Sequence, residues 1–245
     1  LHPTSLPGPH GSGDLGPAAR RFVDFLHESG QSWWQMLPAG PTGYGHSPYM
    51  GSSAFAGNPE WISLETLRDE GLLPEQDLLG DLPPSGPRLD FEAASSFRAP
   101  RLRRAGEEFF RRDRPEDRAR FDAFCAGHAR WLDDFTLYQA LRRHFGGCPW
   151  TDWPADLRTR RPAALAEARE LLAAEIRIET FLQYEFARQW SALRDHCRVR
   201  GVGLIGDVPI YVAQESADVW SNQEQFQLRP DGAPAFVAGV PPDYF

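Results

Sequence analysis

Val202-Gly203-Leu204-Ile205-Gly206-Asp207 is an apolar run that ends in a carboxylate. Upstream of it, Leu182, Phe186, Trp190, Leu193 and Cys197 recur at helical spacing, which predicts an amphipathic helix capped by Gly201. A helix, a short turn and a buried strand make half of a β/α repeat and imply a parallel sheet. Sheets of this kind build their sites beyond the carboxyl ends of the strands, so Asp207 is the leading candidate for a site residue. A helix-capping or turn aspartate is the alternative at the same position.

The N-terminal part fits the same scheme. Residues 1–16 are rich in Pro, Gly and Ser and read as irregular backbone. Pro17 suits a first helical position. Ala18, Phe22, Phe25 and Leu26 then mark one helix face, Arg21, Asp24 and Glu28 the other, and Gly30 the stop. Trp33-Trp34-Gln35-Met36-Leu37 reads as a buried strand ended by Pro38, and Trp61 to Leu64 as a second short strand. Between them, Pro38 to Pro59 is a long loop dense in Gly, Ser, Pro and Tyr, the kind that is usually functional inside a compact domain. Tyr44, Ser47 and Tyr49 lie in it. A loop that follows a strand of the same sheet opens on the same face as Asp207. Aromatic rings stack on the C–H face of a pyranose while hydroxyls and carboxylates take its hydroxyls, so this set suits a sugar. Plain loop packing is the competing reading.

From about Glu65 to Glu175 the chain turns polar and arginine-rich, after a Pro-rich patch at Leu82-Pro83-Pro84. Phe121, Phe124, His128, Trp131, Phe135 and Tyr138 step by three or four along one long helix, stopped by Gly146-Gly147. The arginines of 111–120 alternate with acids, which predicts a solvated helix face. Ser216 reads as the cap of a short helix through Trp220, and Pro230-Asp231-Gly232 as a turn between two short strands.

Composition excludes several classes. Thirty-four acids against 26 bases give a net charge of -8, and every base is arginine. Without lysine there is no P-loop lysine and no Schiff-base lysine. A negative chain lacks the basic footprint of a nucleic-acid binder. No apolar run is long enough to span a membrane, and no secretory signal is visible. Gly11-Ser12-Gly13-Asp14-Leu15-Gly16 spells GxGxxG, but Leu6-Pro7-Gly8-Pro9-His10 before it is no central strand, so it reads as a turn. The seven histidines have no metal-ligand spacing, and His46 reads as a polar loop residue. Cys125, Cys148 and Cys197 lack zinc or redox spacing and are expected to be buried apolar residues in a reducing cytoplasm.

Several blocks carry a resemblance. Leu1-His-Pro-Thr-Ser-Leu-Pro-Gly8, Trp34-Gln-Met-Leu-Pro-Ala-Gly-Pro-Thr-Gly-Tyr-Gly-His-Ser-Pro-Tyr49, Ser53-Ala-Phe-Ala-Gly-Asn-Pro59, Ile205-Gly-Asp-Val-Pro-Ile-Tyr-Val212 and Val237-Ala-Gly-Val-Pro-Pro-Asp-Tyr-Phe245 closely resemble the amylomaltase family of bacterial 4-alpha-glucanotransferases, in that family's order. The resemblance implies an α/β fold, the N-terminal part of an α-amylase-type (β/α)8 TIM barrel with a mostly helical insertion. First barrel strands and a substrate loop would occupy 1–64 and the insertion 65–175, with a barrel helix, a strand and the start of an active-site loop region in 176–245.

It also implies retaining transfer of α-1,4-glucan segments from maltooligosaccharides or starch-type glucans to glucose or a maltooligosaccharide acceptor, without metal or organic cofactor, in the cytoplasm. By the resemblance Asp207 binds the sugar at which cleavage occurs, Tyr49 with Ser47 nearby stacks under it, and Tyr44 belongs to an outer glucan groove. Tyr244 and Phe245 begin a loop that arches over the glucan. His46 departs from the pattern, which has an acid there in many members. The family's nucleophile, general acid and third catalytic aspartate fall after Phe245, so no catalytic residue is expected within this chain. About three of eight barrel strands would be present. The alternatives are an α-glucan hydrolase of the same barrel type and a non-catalytic glucan-binding piece.

Overall fold

The computed structural model describes residues 1–80, 82–83, 88–237 and 239. Along them run α1 (Pro17–Glu28), β1 (Trp33–Gln35), α2 (Leu64–Asp69), α3 (Phe91–Arg112), α4 (Pro115–His144), α5 (Ala155–Arg158), α6 (Pro162–Leu171), α7 (Ala173–Val199), β2 (Gly203–Ile205) and α8 (Ala217–Ser221). β1 and β2 pair in parallel, with Trp33, Trp34 and Gln35 opposite Gly203, Leu204 and Ile205. The Gly203 N–H donates to the Ser32 carbonyl at 2.8 Å and the Met36 N–H to the Ile205 carbonyl at 3.0 Å, extending the ladder at both ends. Each strand follows a helix, α1 or α7, so the helix-then-strand reading holds at both places. Pro230-Asp231-Gly232 is a turn closed by a single antiparallel bridge between Leu228 and Pro234. Among the described residues no helix is long and apolar enough to cross a membrane.

The strand expected at Trp61–Leu64 is not formed, which leaves two strands rather than three among the described residues. Pro59–Trp61 is a 3-10 turn and Leu64 opens α2. The Asn58 side chain accepts the Glu60 N–H at 3.0 Å, and the Ser63 hydroxyl accepts the Thr66 N–H at 3.3 Å. These caps give the backbone local partners, so the apolar residues are buried from a turn instead of a ladder.

The paired strands are also less buried than their apolar sequence implies. Trp34 is buried, whereas Trp33 is 64% and Ile205 43% exposed. A parallel strand reads apolar on both faces because both are normally covered. Here Phe22 of α1 packs on Trp34 and Val202 lies in the core beside α7, while the opposite face is bare. In α1 the core residues are Ala19, Val23 and Leu26, and Phe25 points outward at 58% exposure, so the stripe is rotated from the predicted one.

α4 carries its aromatic face as predicted, with Phe135 and Tyr138 buried and Phe121, Phe124, His128 and Trp131 half-buried. It stops at Phe145, followed by Gly146 at φ 65°, a left-handed position that favours glycine. The arginines of 111–120 do not share one helix face. They straddle the corner between α3 and α4, and pair there: Arg111 and Arg112 with Glu108, Arg118 with Asp113. The three cysteines are free, but only Cys197 is buried. Cys125 and Cys148 are half-buried because they lie on the flank of α4 and in the chain just beyond it.

Two apolar clusters hold these elements. One joins Val23, Trp34, Trp61, Leu64, Phe97, Phe181 and Leu193. The other joins Phe135, Tyr138, Trp150, Trp153 and Trp220. Fully buried Arg98 lies within the first region, 3.6 Å from both Asp14 and Glu60, and donates to the Ile62 carbonyl. The GxGxxG segment is therefore a turn fastened to α3. His10 stacks on Phe97 there, and burial, with Arg98 beside it, pushes its imidazole down to about 4.

α7 carries two buried glutamines on the side that faces the loop base. The Gln183 amide accepts the Gly57 N–H at 2.8 Å and donates to the Gly57 carbonyl at 3.1 Å. Gln189 does the same for Ser63, at 2.6 and 3.4 Å, and donates to Glu185. Gly57 lies against the Phe186 ring, where a Cβ would collide. Gly57→Ala is therefore expected to destabilise the fold by about 2–3 kcal/mol through overpacking. A melting curve should show a drop of about 5–10 °C.

Candidate functional site

Because β1 and β2 run parallel and in register, the segments leaving them emerge at the same end. From β1 comes the long loop, and from β2 the turn that bears Asp207. The loop folds back at a 3-10 turn over Tyr44–His46, where Gly45 and His46 have φ of 63° and 57°. The Gly43 N–H donates to the Ser47 carbonyl at 3.2 Å and closes that turn. The chain then returns toward β2, and the Tyr49 hydroxyl donates to Asp207 Oδ2 at 2.6 Å. The other carboxylate oxygen accepts the N–H of Val208 at 2.8 Å. Hydrogen bonding to Asp207 pushes the Tyr49 phenol above its ordinary value, since ionising Tyr49 would remove the donor and set two negative charges together.

Asp207 and Tyr49 are thus in contact across 158 positions of sequence. Ser47 acts on Tyr49, its hydroxyl accepting the Tyr49 N–H at 3.3 Å. Tyr44 lies apart, at the loop tip and 92% exposed. His46 stacks on Phe91 of α3 with ring centroids 4.4 Å apart. Tyr244 and Phe245 lie outside the described residues. A concavity of about 1300 Å³ flanks the other side of the loop, between Pro41, His46 and Pro48 and the helices α3, α4 and α7. Neither Asp207 nor Tyr49 lines it.

The residues that hold the loop and the turn after it were not singled out from the sequence: Gln183 at Gly57, Gln189 at Ser63 and, at the start of α8, Asp218, which accepts the Ala54 N–H at 2.8 Å. A signal existed for Gln189. It sits three residues after Phe186 and four before Leu193, a polar residue inside an otherwise apolar stripe. Asp218 follows the capping Ser216 and looks like an ordinary first-turn acid, so nothing local distinguishes it.

A parallel strand pair fed by helices, with a carboxylate and a tyrosine hydroxyl meeting at its carboxyl end, defines a β/α arrangement with a candidate ligand site at that end. The chain belongs to the 4-alpha-glucanotransferase family Glyco_hydro_77, whose profile matches residues 1–245. It is 47% identical over 247 residues to the 4-alpha-glucanotransferase of Thermus thermophilus, covering 100% of this chain and 48% of the relative. It is 40% identical over 254 residues to the chloroplastic/amyloplastic 4-alpha-glucanotransferase of Solanum tuberosum, covering 100% and 43%. The fold is similar to that of the amylomaltase from Streptococcus agalactiae in complex with acarbose, with a TM-score of 0.94 and 35% identity over 100% of this chain and 49% of that one. The chain spans about half the length of the curated relatives it matches.

Proposed function

We propose that the protein carrying this chain transfers α-1,4-glucan segments to glucose or maltooligosaccharide acceptors with retention, and that residues 1–245 form one wall of its substrate site. The Tyr49–Asp207 contact at the carboxyl end of the strand pair carries this reading, in a chain that belongs to the family over its whole length. A carboxylate with free lone pairs accepts sugar hydroxyls, and an aromatic ring beside it covers the apolar face of the pyranose. Asp207 binds the sugar whose bond is cleaved, Tyr49 stacks under it, Ser47 sets the Tyr49 backbone, and Tyr44 contacts glucan further out. Tyr244 and Phe245 begin a loop over the bound chain. The acarbose complex of a relative with matching fold supports a carbohydrate ligand.

In retaining transfer one carboxylate attacks the anomeric carbon while another protonates the leaving oxygen, and the acceptor hydroxyl then displaces the enzyme. Those two carboxylates lie in the part of the protein beyond Phe245, and no metal or organic cofactor enters. We read β1 and β2 as strands of an α-amylase-type barrel whose neighbours cover the exposed Trp33 and Ile205. In this reading 1–64 and 176–245 are barrel segments and 65–175 a helical insertion. Its helix α3 is no separate unit, since Phe97 and Leu102 share a core with Val23 and Trp34. Three free cysteines support a cytoplasmic site of action. The test is product analysis with maltotriose. Transfer is expected to yield a ladder of shorter and longer oligomers. Accumulation of glucose and maltose alone would mean hydrolysis, and binding without turnover would mean a non-catalytic glucan binder.

A further inference from the structure

We propose that Asp218 is a positioning residue for the loop of residues 38–59: it fastens Ser53 and Ala54 to the start of α8 and thereby holds Tyr49 on Asp207. For its effect on glucan transfer this rests on the function proposed above; for the geometry of Tyr49 it does not.

The loop is tied at both ends of its returning arm. At the base, the Asn58 N–H donates to the Ala39 carbonyl at 2.9 Å, and Gln183 holds Gly57. Nearer Tyr49, the Asp218 carboxylate accepts the Ala54 N–H at 2.8 Å and a hydrogen bond from the Ser53 side chain. The Ala217 N–H reciprocates, donating to the Ser52 carbonyl at 2.9 Å. A carboxylate that accepts a backbone N–H makes a charge-assisted bond, stronger than a neutral one. Burial pushes the Asp218 carboxyl upward, and the donors from Ala54 and Ser53 oppose that push.

The mount for this anchor is rigid. Buried Ser216 caps α8 by accepting the Val219 N–H at 3.2 Å. Trp220, two residues after Asp218, is fully buried, with ring centroids 5.8 Å from Tyr138 and 5.6 Å from Trp153. Asp207 and Asp218 lie on one short stretch of chain, and Ala54 and Tyr49 on another. The Asp218–Ala54 and Tyr49–Asp207 bonds therefore close a ring. Tyr49 meets Asp207 on an exposed surface, where water competes for both partners. Such a bond persists when its two ends are already held close, which raises their effective concentration.

The experiment is a titration of tyrosine labelled with carbon-13 at Cζ, followed by NMR in the whole protein, with Tyr49→Phe used to assign the Tyr49 signal. In the unsubstituted protein Tyr49 should ionise above an ordinary phenol. In Asp218→Ala its midpoint should return toward about 10. The value of kcat/KM for maltotriose should fall about tenfold, as for a misplaced binding group. Asp218→Asn keeps an acceptor oxygen and should recover most of both. If Asp218→Ala does not fold, Asp218→Ser, whose hydroxyl is too short to bridge to Ala54, makes the same comparison. A Tyr49 midpoint that stays unchanged in the folded Ala or Ser variant overturns the inference, whatever happens to activity. A midpoint that moves in a protein with no glucan transfer upholds the anchor and defeats the functional reading instead.

Discussion

Asp207→Ala in the whole protein is expected, on the proposed function, to lower kcat/KM for maltotriose by about 10²–10³-fold. One oxygen of Asp207 is engaged by Tyr49 and the other by the Val208 N–H, and each retains acceptor capacity. Hydrogen bonds from sugar hydroxyls to an ionised acceptor are worth about 1.5–3 kcal/mol each, and two of them account for a loss of this size. Alanine also leaves the Tyr49 hydroxyl without its partner, so the Tyr49 ring loses the bond that orients it. Tyr49→Phe is the internal comparison. It keeps the ring and removes only the phenol bond, and should cost about tenfold. Steady-state kinetics on the two variants check the order. If Asp207→Ala keeps activity within about threefold, Asp207 is a turn residue and the strand end is not where the sugar binds.

The second large effect concerns a polypeptide made of residues 1–245 alone. It is expected to show no disproportionation of maltotriose, a loss of about 10⁶-fold or more, the usual scale of enzymatic acceleration. A retaining site needs two carboxyl groups about 5–5.5 Å apart. At the strand ends here, Asp207 is met by Tyr49 and by its own following N–H. The same polypeptide should self-associate. Among the described residues its sheet has two parallel strands, with Trp33 64% exposed and Val208, Ile210 and Tyr211 exposed in the turn after β2. An apolar face of this kind beside unpaired strand edges seeks another surface. Light scattering after size-exclusion chromatography should report oligomers, and adding the remainder of the protein should lower their fraction. Turnover near that of the whole enzyme would refute the placement of the covalent machinery beyond Phe245.

The parts of the fold that were legible in advance are those set by short-range chemistry. Pro17 and Gly30 bracket α1, the aromatic ladder of α4 keeps helical spacing to its glycine stop, and Ser216 caps α8. Val202–Asp207 announced a strand ending in a carboxylate, and that strand pairs in parallel. Trp61–Leu64 misled because burial alone does not distinguish a strand from a capped turn, and Asn58 and Ser63 decided for the turn. Trp33 and Phe25 misled because apolar character does not say which face of an element is covered. Of the candidate site, Asp207, Ser47 and Tyr49, which the structure brings together, could be named beforehand, since strand ends and Tyr-rich loops are recognisable locally. The hold that Asp218 and Gln183 have on the loop could not, because a carboxylate or an amide reads the same whether it faces water or a distant backbone N–H.

By itself, then, the amino-acid order determined the helices α1, α4, α7 and α8, that a parallel pair follows α1 and α7, and which residue types stand beyond its carboxyl ends. Those outcomes follow from backbone preferences, caps and apolar spacing, which act over a few residues. Only the tertiary structure decided that Tyr49 lies on Asp207 and Tyr44 does not, that His46 turns to Phe91, and that α8 grips the loop. Those contacts join positions far apart in the chain. Their existence depends on how the helices pack and where the loop is tied, and no local pattern encodes that distance.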